Sequence, residues 1–510
     1  MTAAMLDEKA RPHSALDTVE TRREGQIYEA MQLDENRFNL WSTIGIQFSV
    51  TAAPLGIVGY TTLITGVGGS PFYFWGFLVA VVGQILIAVS LAELSSAYPH
   101  SSGQIYWTAS LSPHRYARFL SYLNGAMTTF GWVFASSGTA VFAADFFAAF
   151  GQLVSNTYEP TSWQIFLLVI AALTVAFILN TLLIKTVPNL TSFMVVFLNI
   201  AALFICITLL AVVHPKASPK TAFIDVVNTT GWSSDGLVFF LGLLPGMMTV
   251  CLFDTAAHMA DELPHPEREV PIVMLANALL SSTGGLVMVL CLIFCTTHPE
   301  SLVQPLAGMP ILQICWDAWS SKGFVIVVCL IYWAMTLNGL ISIITGCSRV
   351  IWSFAKAGGL PFKDLLSEVN GRFQTPLNAV LASCMACAIF SLLCFAPLTV
   401  LNGLFGASVV CFTTSYTIPT CLVLANRRNL PSNRYFNIGA AGPVVNFVAI
   451  CWMVISALFV CFPQHVPVTL GTMNWAPVIF CLVLFISLAN WFRVKATYCC
   501  PRGLLRDPSG

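Results

Sequence analysis

Between Trp41 and Lys495 the chain returns repeatedly to apolar runs of about 20 residues, the length a helix needs to cross the hydrocarbon core of a bilayer. Only 9% of residues are charged and 57% are hydrophobic, against about 25% charged in an ordinary soluble domain. That supply of charge cannot cover a water-facing surface. In lipid the backbone must satisfy its own N–H and C=O groups, which leaves helices or closed barrels. The apolar–polar alternation of barrel strands is absent, so the pattern predicts an all-α integral membrane protein.

Twelve spans fit the sequence, at 43–66, 72–97, 117–150, 161–186, 189–213, 236–260, 270–298, 323–354, 377–396, 398–425, 441–462 and 473–496. Gly and Pro clusters such as Gly68-Gly69-Ser70-Pro71 and Gly358-Gly359-Leu360-Pro361 separate them. With the N-terminus inside, 20 of the 23 Lys and Arg residues fall on the cytosolic side. Only Lys216, Lys220 and Lys322 fall outside, as the positive-inside rule expects. Both termini are then cytosolic, and the sequon Asn228-Thr229-Thr230 lies in the longest outer loop, which makes Asn228 a glycosylation candidate. Residues 1–40, with Asp7, Glu8, Asp17, Glu20, Glu24, Asp34 and Glu35, read as a disordered cytosolic tail. The transporter body is expected over 41–496 and a short cytosolic tail over 497–510. The 17 cysteines are scattered through apolar runs, where they read as small packing residues; the pair Cys384 and Cys387 is included. Cys499-Cys500, beyond the last span, could be acylated or belong to a plain tail.

Two spans are interrupted where they should be most regular. The first contains Thr51-Ala52-Ala53-Pro54-Leu55-Gly56; the sixth contains Pro245-Gly246-Met247-Met248-Thr249. Each interruption lies at a similar depth, and the second comes five spans after the first, an odd number that inverts the second copy. The pattern predicts an inverted five-helix repeat with discontinuous first helices, about 43–213 and 236–425, followed by two extra helices at about 441–496. Unwound backbone must face a cavity, a ligand or water. A pair of packing kinks is the alternative, since Pro and Gly are common in membrane helices.

The residues following the second break, Asp254-Thr-Ala-Ala-His258-Met-Ala-Asp261-Glu262-Leu-Pro264-His-Pro266 and then Val270-Pro271, resemble the sixth-helix signature of the amino acid–polyamine–organocation transporters. The branch they most resemble is the fungal amino acid/choline permeases, which include GABA and choline permeases. Ser90 to Gln104 is similar to that family's motif between the second and third helices, and Ser348-Arg349 to Pro361 to its loop between the eighth and ninth. The resemblance covers about residues 40–495 and implies a LeuT-like 5+5 inverted repeat that works by alternating access. Ala357 departs from the family, standing where many relatives carry an acid. The first break is also poorer in glycine than in bacterial relatives, which leaves a substrate without a carboxylate open.

Asp254 is the one deep acid beside a break, and an acid in the membrane interior costs about 2.5–3.5 kcal/mol on insertion scales. It is expected to accept a substrate amine, to carry a coupling proton, or to pair with His258 four residues on. Met248, Thr249, Cys251 and Phe253 are expected to line the pocket with the backbone of Thr51 to Gly56 and of Pro245-Gly246. Trp132, Trp333 and Phe253 could supply aromatic faces for an ammonium group, and Asn338, Ser136 and Thr413 polar contacts or helix–helix hydrogen bonds. Glu93, Asp261, Glu262 and Arg349 are candidates for an inner gate, with solvated interface charge as the plain alternative. Asp145 reads as an interfacial charge near the outer end of the third span.

No phosphate-loop, HExxH or GxSxG motif is present, so direct ATP drive and hydrolytic chemistry find no support. No cofactor, metal or nucleic-acid partner is expected. The expected function is secondary active uptake of a small amino compound (an amino acid, GABA, choline or a related amine) across the plasma membrane. Proton symport is the expected coupling and sodium symport the rival. A nutrient sensor on the same fold, an exchanger or an exporter are the alternatives.

Overall fold

The computed structural model describes Leu33 and residues 37–155, 157–396 and 398–501. The acidic tail through Glu35 and the end of the chain beyond Pro501 lie outside the described residues, apart from Leu33. Among the described residues all regular structure is helical, apart from the isolated bridges Val67–Asn228 and Asn370–Thr375.

The first span is split into α1 (Leu40–Thr51) and α2 (Ala53–Gly59). There follow α3 (Gly69–Ala97), α4 (Gln104–Leu111), α5 (His114–Val154), α6 (Ser162–Thr181) and α7 (Val187–Val212). The sixth span is in three pieces, α8 (Asp235–Leu241), α9 (Leu244–Thr249) and α10 (Thr255–His258). Beyond it lie α11 (Pro266–Cys295), α12 (Pro310–Trp319), α13 (Lys322–Lys356) and α14 (Leu377–Ser391). The chain ends with α15 (Leu398–Ala425), α16 (Gly442–Val460) and α17 (Ala476–Val494). Eleven of the described segments are long and apolar enough to cross a membrane; the sixth span is not, because it is broken.

α4 and α12 were not expected. Each is at most ten residues long, below the length that marks a span, so an argument from apolar run length passes over them. The packed body also starts ahead of Trp41: Phe38 is buried, and its N–H donates to the Glu262 carbonyl at 3.3 Å. Asn39 then begins α1. Its side chain accepts from the Ser42 N–H while Ser42 Oγ accepts from the Asn39 N–H, both at 2.9 Å, a reciprocal cap for two otherwise unpaired donors.

α5 is the axis of the molecule. It packs on α13, α14 and α15, while α3 packs on α11 and both halves of the first span lean on α11 and α13. Large apolar side chains on the outer helices point away from this core, among them Phe193 and Phe197 on α7, Phe447 on α16 and Phe485 on α17. Such faces suit lipid. Cys384 and Cys387 are buried, and their thiols approach different carbonyls, of Leu173 and Val133, in keeping with packing. Asn228 is half-buried, and its Nδ2 donates to the Trp232 carbonyl and Asp235.

Candidate functional site

The break in the first span is made by Ala52, which takes the left-handed conformation at φ 40°, and by Pro54, which has no N–H to continue the α1 ladder. The break in the sixth span lies further along than Pro245-Gly246. Pro245 sits in the first turn of α9, where a missing N–H costs nothing. Gly246 lies against α3, and a Cβ there would come within 2.6 Å of the Ala80 side chain. The longer non-helical stretch is Val250 to Asp254, turned by Leu252 at φ 54°. The two broken spans touch at Gly56, where a Cβ would meet Thr249 at 3.1–3.2 Å.

Freed backbone groups in this second break find a side chain to bond. Gln47 of α1 is fully buried; its Nε2 donates to the Leu252 carbonyl at 2.7 Å, and its Oε1 accepts from the Ala256 N–H at 3.0 Å. One amide thus takes both roles of a missing helical turn, as buried backbone demands. The sequence reading overlooked Gln47. The signal was there: an uncharged but strongly polar residue amid an apolar span, a few residues ahead of a break.

Asp254 is completely buried. Its Oδ2 accepts from Gln104 Nε2 at 2.7 Å and Trp132 Nε1 at 3.0 Å, and lies 3.0 Å from His258 Nε2; its Oδ1 accepts from the Tyr416 hydroxyl at 2.7 Å. Gln104 and Tyr416 were also overlooked. The turn into α4 brings Gln104 there. Gly103 takes φ 49°, and a Cβ on it would press on the His258 ring at 3.0 Å. The other His258 nitrogen, Nδ1, faces the Ser101 carbonyl at 2.9 Å. A carbonyl can only accept, so Nδ1 carries a proton. Nε2 faces a carboxyl oxygen, so a second proton lies between His258 and Asp254. The pair therefore holds one proton beyond a neutral ring and a bare carboxylate, and is neutral as a unit.

Next to this knot the charges interlock. Glu262 Oε1 accepts from Arg349 Nε at 2.9 Å, and its Oε2 accepts from Arg349 Nη2 at 3.3 Å and Arg37 Nη1 at 3.1 Å. Arg349 and Glu262 are wholly buried. Arg37 also donates to the carbonyls of Phe373 and Gln374. Glu93 does not join Arg349; it binds Arg428 at 2.7 Å and Arg434 at 3.3 Å. Asp261 accepts from the Ser101 hydroxyl.

On the other side of the breaks, toward the loop of residues 296–309, lies a cavity of about 320 Å³. Thr51, Ala52, Leu55 and Gly56 border it from the first break, and Met248, Cys251 and Leu252 from the second. α5, α13 and α15 close it through Ala135 to Phe146, Gly339 and Ile343, and Leu401 to Phe405. Of the other expected contacts, Ala53, Pro54, Thr249 and Phe253 are buried in packing and lie outside the cavity wall. Asn338 reaches it only indirectly, donating to Ser49 Oγ at 2.9 Å. The expected aromatic wall is also different. Trp132 and Phe253 are fully buried, and Trp333 packs on Phe147. The aromatic rings at the cavity are Tyr60, Phe142, Phe146 and Phe405. Asp145, read from the sequence as an interfacial charge, stands in the cavity wall. Thr413 and Ser136 spend their hydroxyls on carbonyls of their own helices.

A multi-pass helical body with two broken spans beside a cavity defines a membrane permease. The chain belongs to the amino acid permease family, whose model matches residues 38–485, and it is a transporter rather than an enzyme. It is 32% identical to the choline transporter of Saccharomyces cerevisiae, over 89% of this chain and 80% of that protein. It is 29% identical to amino-acid permease 2 of Neurospora crassa, over 90% of this chain and 84% of that protein. With the GABA-specific permease of Saccharomyces cerevisiae the identity is 25%, over 87% and 79%.

Proposed function

We propose that this protein is a secondary active transporter of a small amine compound, an amino acid, GABA, choline or a close relative, working by alternating access in the plasma membrane. The observation that carries the reading is the position of the cavity. It lies between two broken spans and is open toward one end of the molecule, while the other end is closed by the Asp254 knot and the Arg37–Glu262–Arg349 cluster. With the Lys- and Arg-rich end in the cytosol, as the charge distribution favours, this is an outward-facing arrangement with its inner side shut. In this reading the broken sixth span completes a set of twelve, arranged as two inverted five-helix repeats and two further helices. The first and sixth spans rock against α5, α13 and α15.

Proton symport is the coupling the site favours. Gln104, Trp132 and Tyr416 donate to the Asp254 carboxyl and tie it to α4, α5 and α15, and the proton shared with His258 keeps the buried pair neutral. Losing that proton would give the buried pair a net negative charge and loosen the inner barrier. The test is uptake of labelled choline, GABA and amino acids by the full chain in a permease-deficient cell. Uptake of at least one substrate is expected to follow an imposed pH jump and to ignore replacement of sodium. Asp254→Asn is expected to abolish the pH response. Uptake indifferent to pH, or unchanged in the variant, would remove Asp254 from the coupling step.

A further inference from the structure

α5 presents Gly138, Val141, Phe142 and Asp145 to the cavity, at spacings of three and four residues that keep them on one helix face. Its lining runs from Ala135 to Phe146, about 16 Å along the axis. Asp145 is half-buried near the outer end of that strip. Among the described residues no donor and no basic side chain is bonded to it, in contrast to every other acid discussed above. Among the described residues the cavity wall contains no Lys, Arg or His. On the first break the Leu55 and Gly56 N–H groups are spent on the Ala52 carbonyl at 2.8 and 3.1 Å.

A single acid with no counter-charge among the described residues, set in a cavity whose other polar lining is uncharged, makes when ionised a negative potential that low-dielectric walls focus. It favours a cation, and nothing basic is at hand to hold a carboxylate. The surroundings refine the match. The Phe142 ring lies against Gly59, 3.3 Å from where its Cβ would be, and the Phe405 ring covers Gly138. Phe142 and Phe146 meet edge to face at 5.3 Å. Rings beside a carboxylate suit an ammonium group bearing alkyl substituents, which gains from both charge and ring faces.

We propose that Asp145 is the cation-recognition residue of the cavity: it takes the ammonium group of a substrate with net positive charge, while Phe142, Phe146 and Phe405 receive its apolar substituents. The proposal rests on the transport reading above and narrows its substrates from amino compounds in general to net cations. Asp254, with its acceptor sites filled, is not the substrate's partner.

Two measurements test it. In the first, the purified full chain is melted with choline and with 3,3-dimethylbutan-1-ol, an uncharged molecule of the same shape. Choline is expected to protect at concentrations about tenfold or more below the neutral compound, the size of a charge-assisted contact. Asp145→Glu should keep this preference and Asp145→Asn should lose it, with protection by the neutral compound unchanged. Equal protection of the unmutated protein by both compounds overturns the proposal whether or not any variant folds, as does a preference that survives in Asp145→Asn. In the second, labelled choline uptake is measured in cells, where Asp145→Asn should raise KM about tenfold. Selective protection without uptake would sink the transport reading and leave the site standing. Uptake with no selectivity for charge would do the reverse.

Discussion

Asp254 and Asp145 are aspartates inside the same helical body, in very different company. Asp254 is fully buried and meets Gln104, Trp132, His258 and Tyr416. Asp145 is half-buried, borders the cavity and meets no donor among the described residues. Trp132 and Asp145 lie on one helix, thirteen residues apart, or about 20 Å along its axis. The difference separates two uses of an intramembrane acid. Donors around Asp254 have already compensated its charge, so a substrate cation would gain little by reaching it. Among the described residues nothing compensates Asp145. An acid that closes a barrier and an acid that binds a ligand are thus told apart by the donors each already has, not by depth in the membrane alone.

The largest effect expected from this contrast is on stability. Asp254→Asn leaves the His258 ring and three further donors facing an amide, and removing one member of a buried pair costs about 3–5 kcal/mol. Asp145→Asn removes an unpaired charge and should leave the melting temperature equal or higher. Similar losses in both variants would erase the distinction. A smaller effect is expected at Gln47. Gln47→Ala strands the Ala256 N–H, which costs about 1–3 kcal/mol when buried without a partner, while the Leu252 carbonyl keeps the Thr255 hydroxyl at 2.8 Å. Faster amide hydrogen exchange over residues 250–258 would confirm it, and unchanged exchange would show that this break does not depend on the bridge.

The smallest effect lies at His100, in the turn ahead of α4. Burial holds its ring below the ordinary histidine range, opposed by Asp261 and assisted by Lys356. Its Nδ1 accepts from the Ser102 N–H at 3.0 Å, which only an unprotonated nitrogen can do. A depressed value in the fold means stability that is present above the unfolded value of about 6.5 and is lost as pH falls through the folded one. Acidification to about pH 5 should lower the melting temperature, and His100→Gln should reduce that drop slightly. An identical drop in the variant would take His100 out of the acid response.

Much of the architecture could be read from local pattern. The tenth span was expected at 398–425 and is found at Leu398–Ala425. Asp254 and His258 were singled out with their spacing, and they do pair. The sixth-span break was located by its Pro-Gly pair, yet the chain unwinds later, at Val250 to Asp254. Proline forbids a bond at its own position, but where a helix actually opens depends on which freed groups can be bonded elsewhere, and Gln47 bonds them at Leu252 and Ala256. The place of Asp145 in the cavity wall was not legible for a similar reason. Its neighbours in sequence are apolar at any depth, and only the approach of Tyr60, Leu401 and Phe405 makes a cavity in front of it.

The sequence by itself determined that this chain crosses the membrane many times, that two of its spans are broken, and that an acid and a histidine one turn apart lie beyond the second break. These follow from composition and short-range spacing, because lipid leaves the backbone almost no choice but the helix. Only the tertiary structure decided which acid is satisfied and which is bare. That outcome rests on contacts between residues 122 to 162 positions apart, such as Trp132, Gln104 and Tyr416 with Asp254, and no local pattern encodes whether such partners meet.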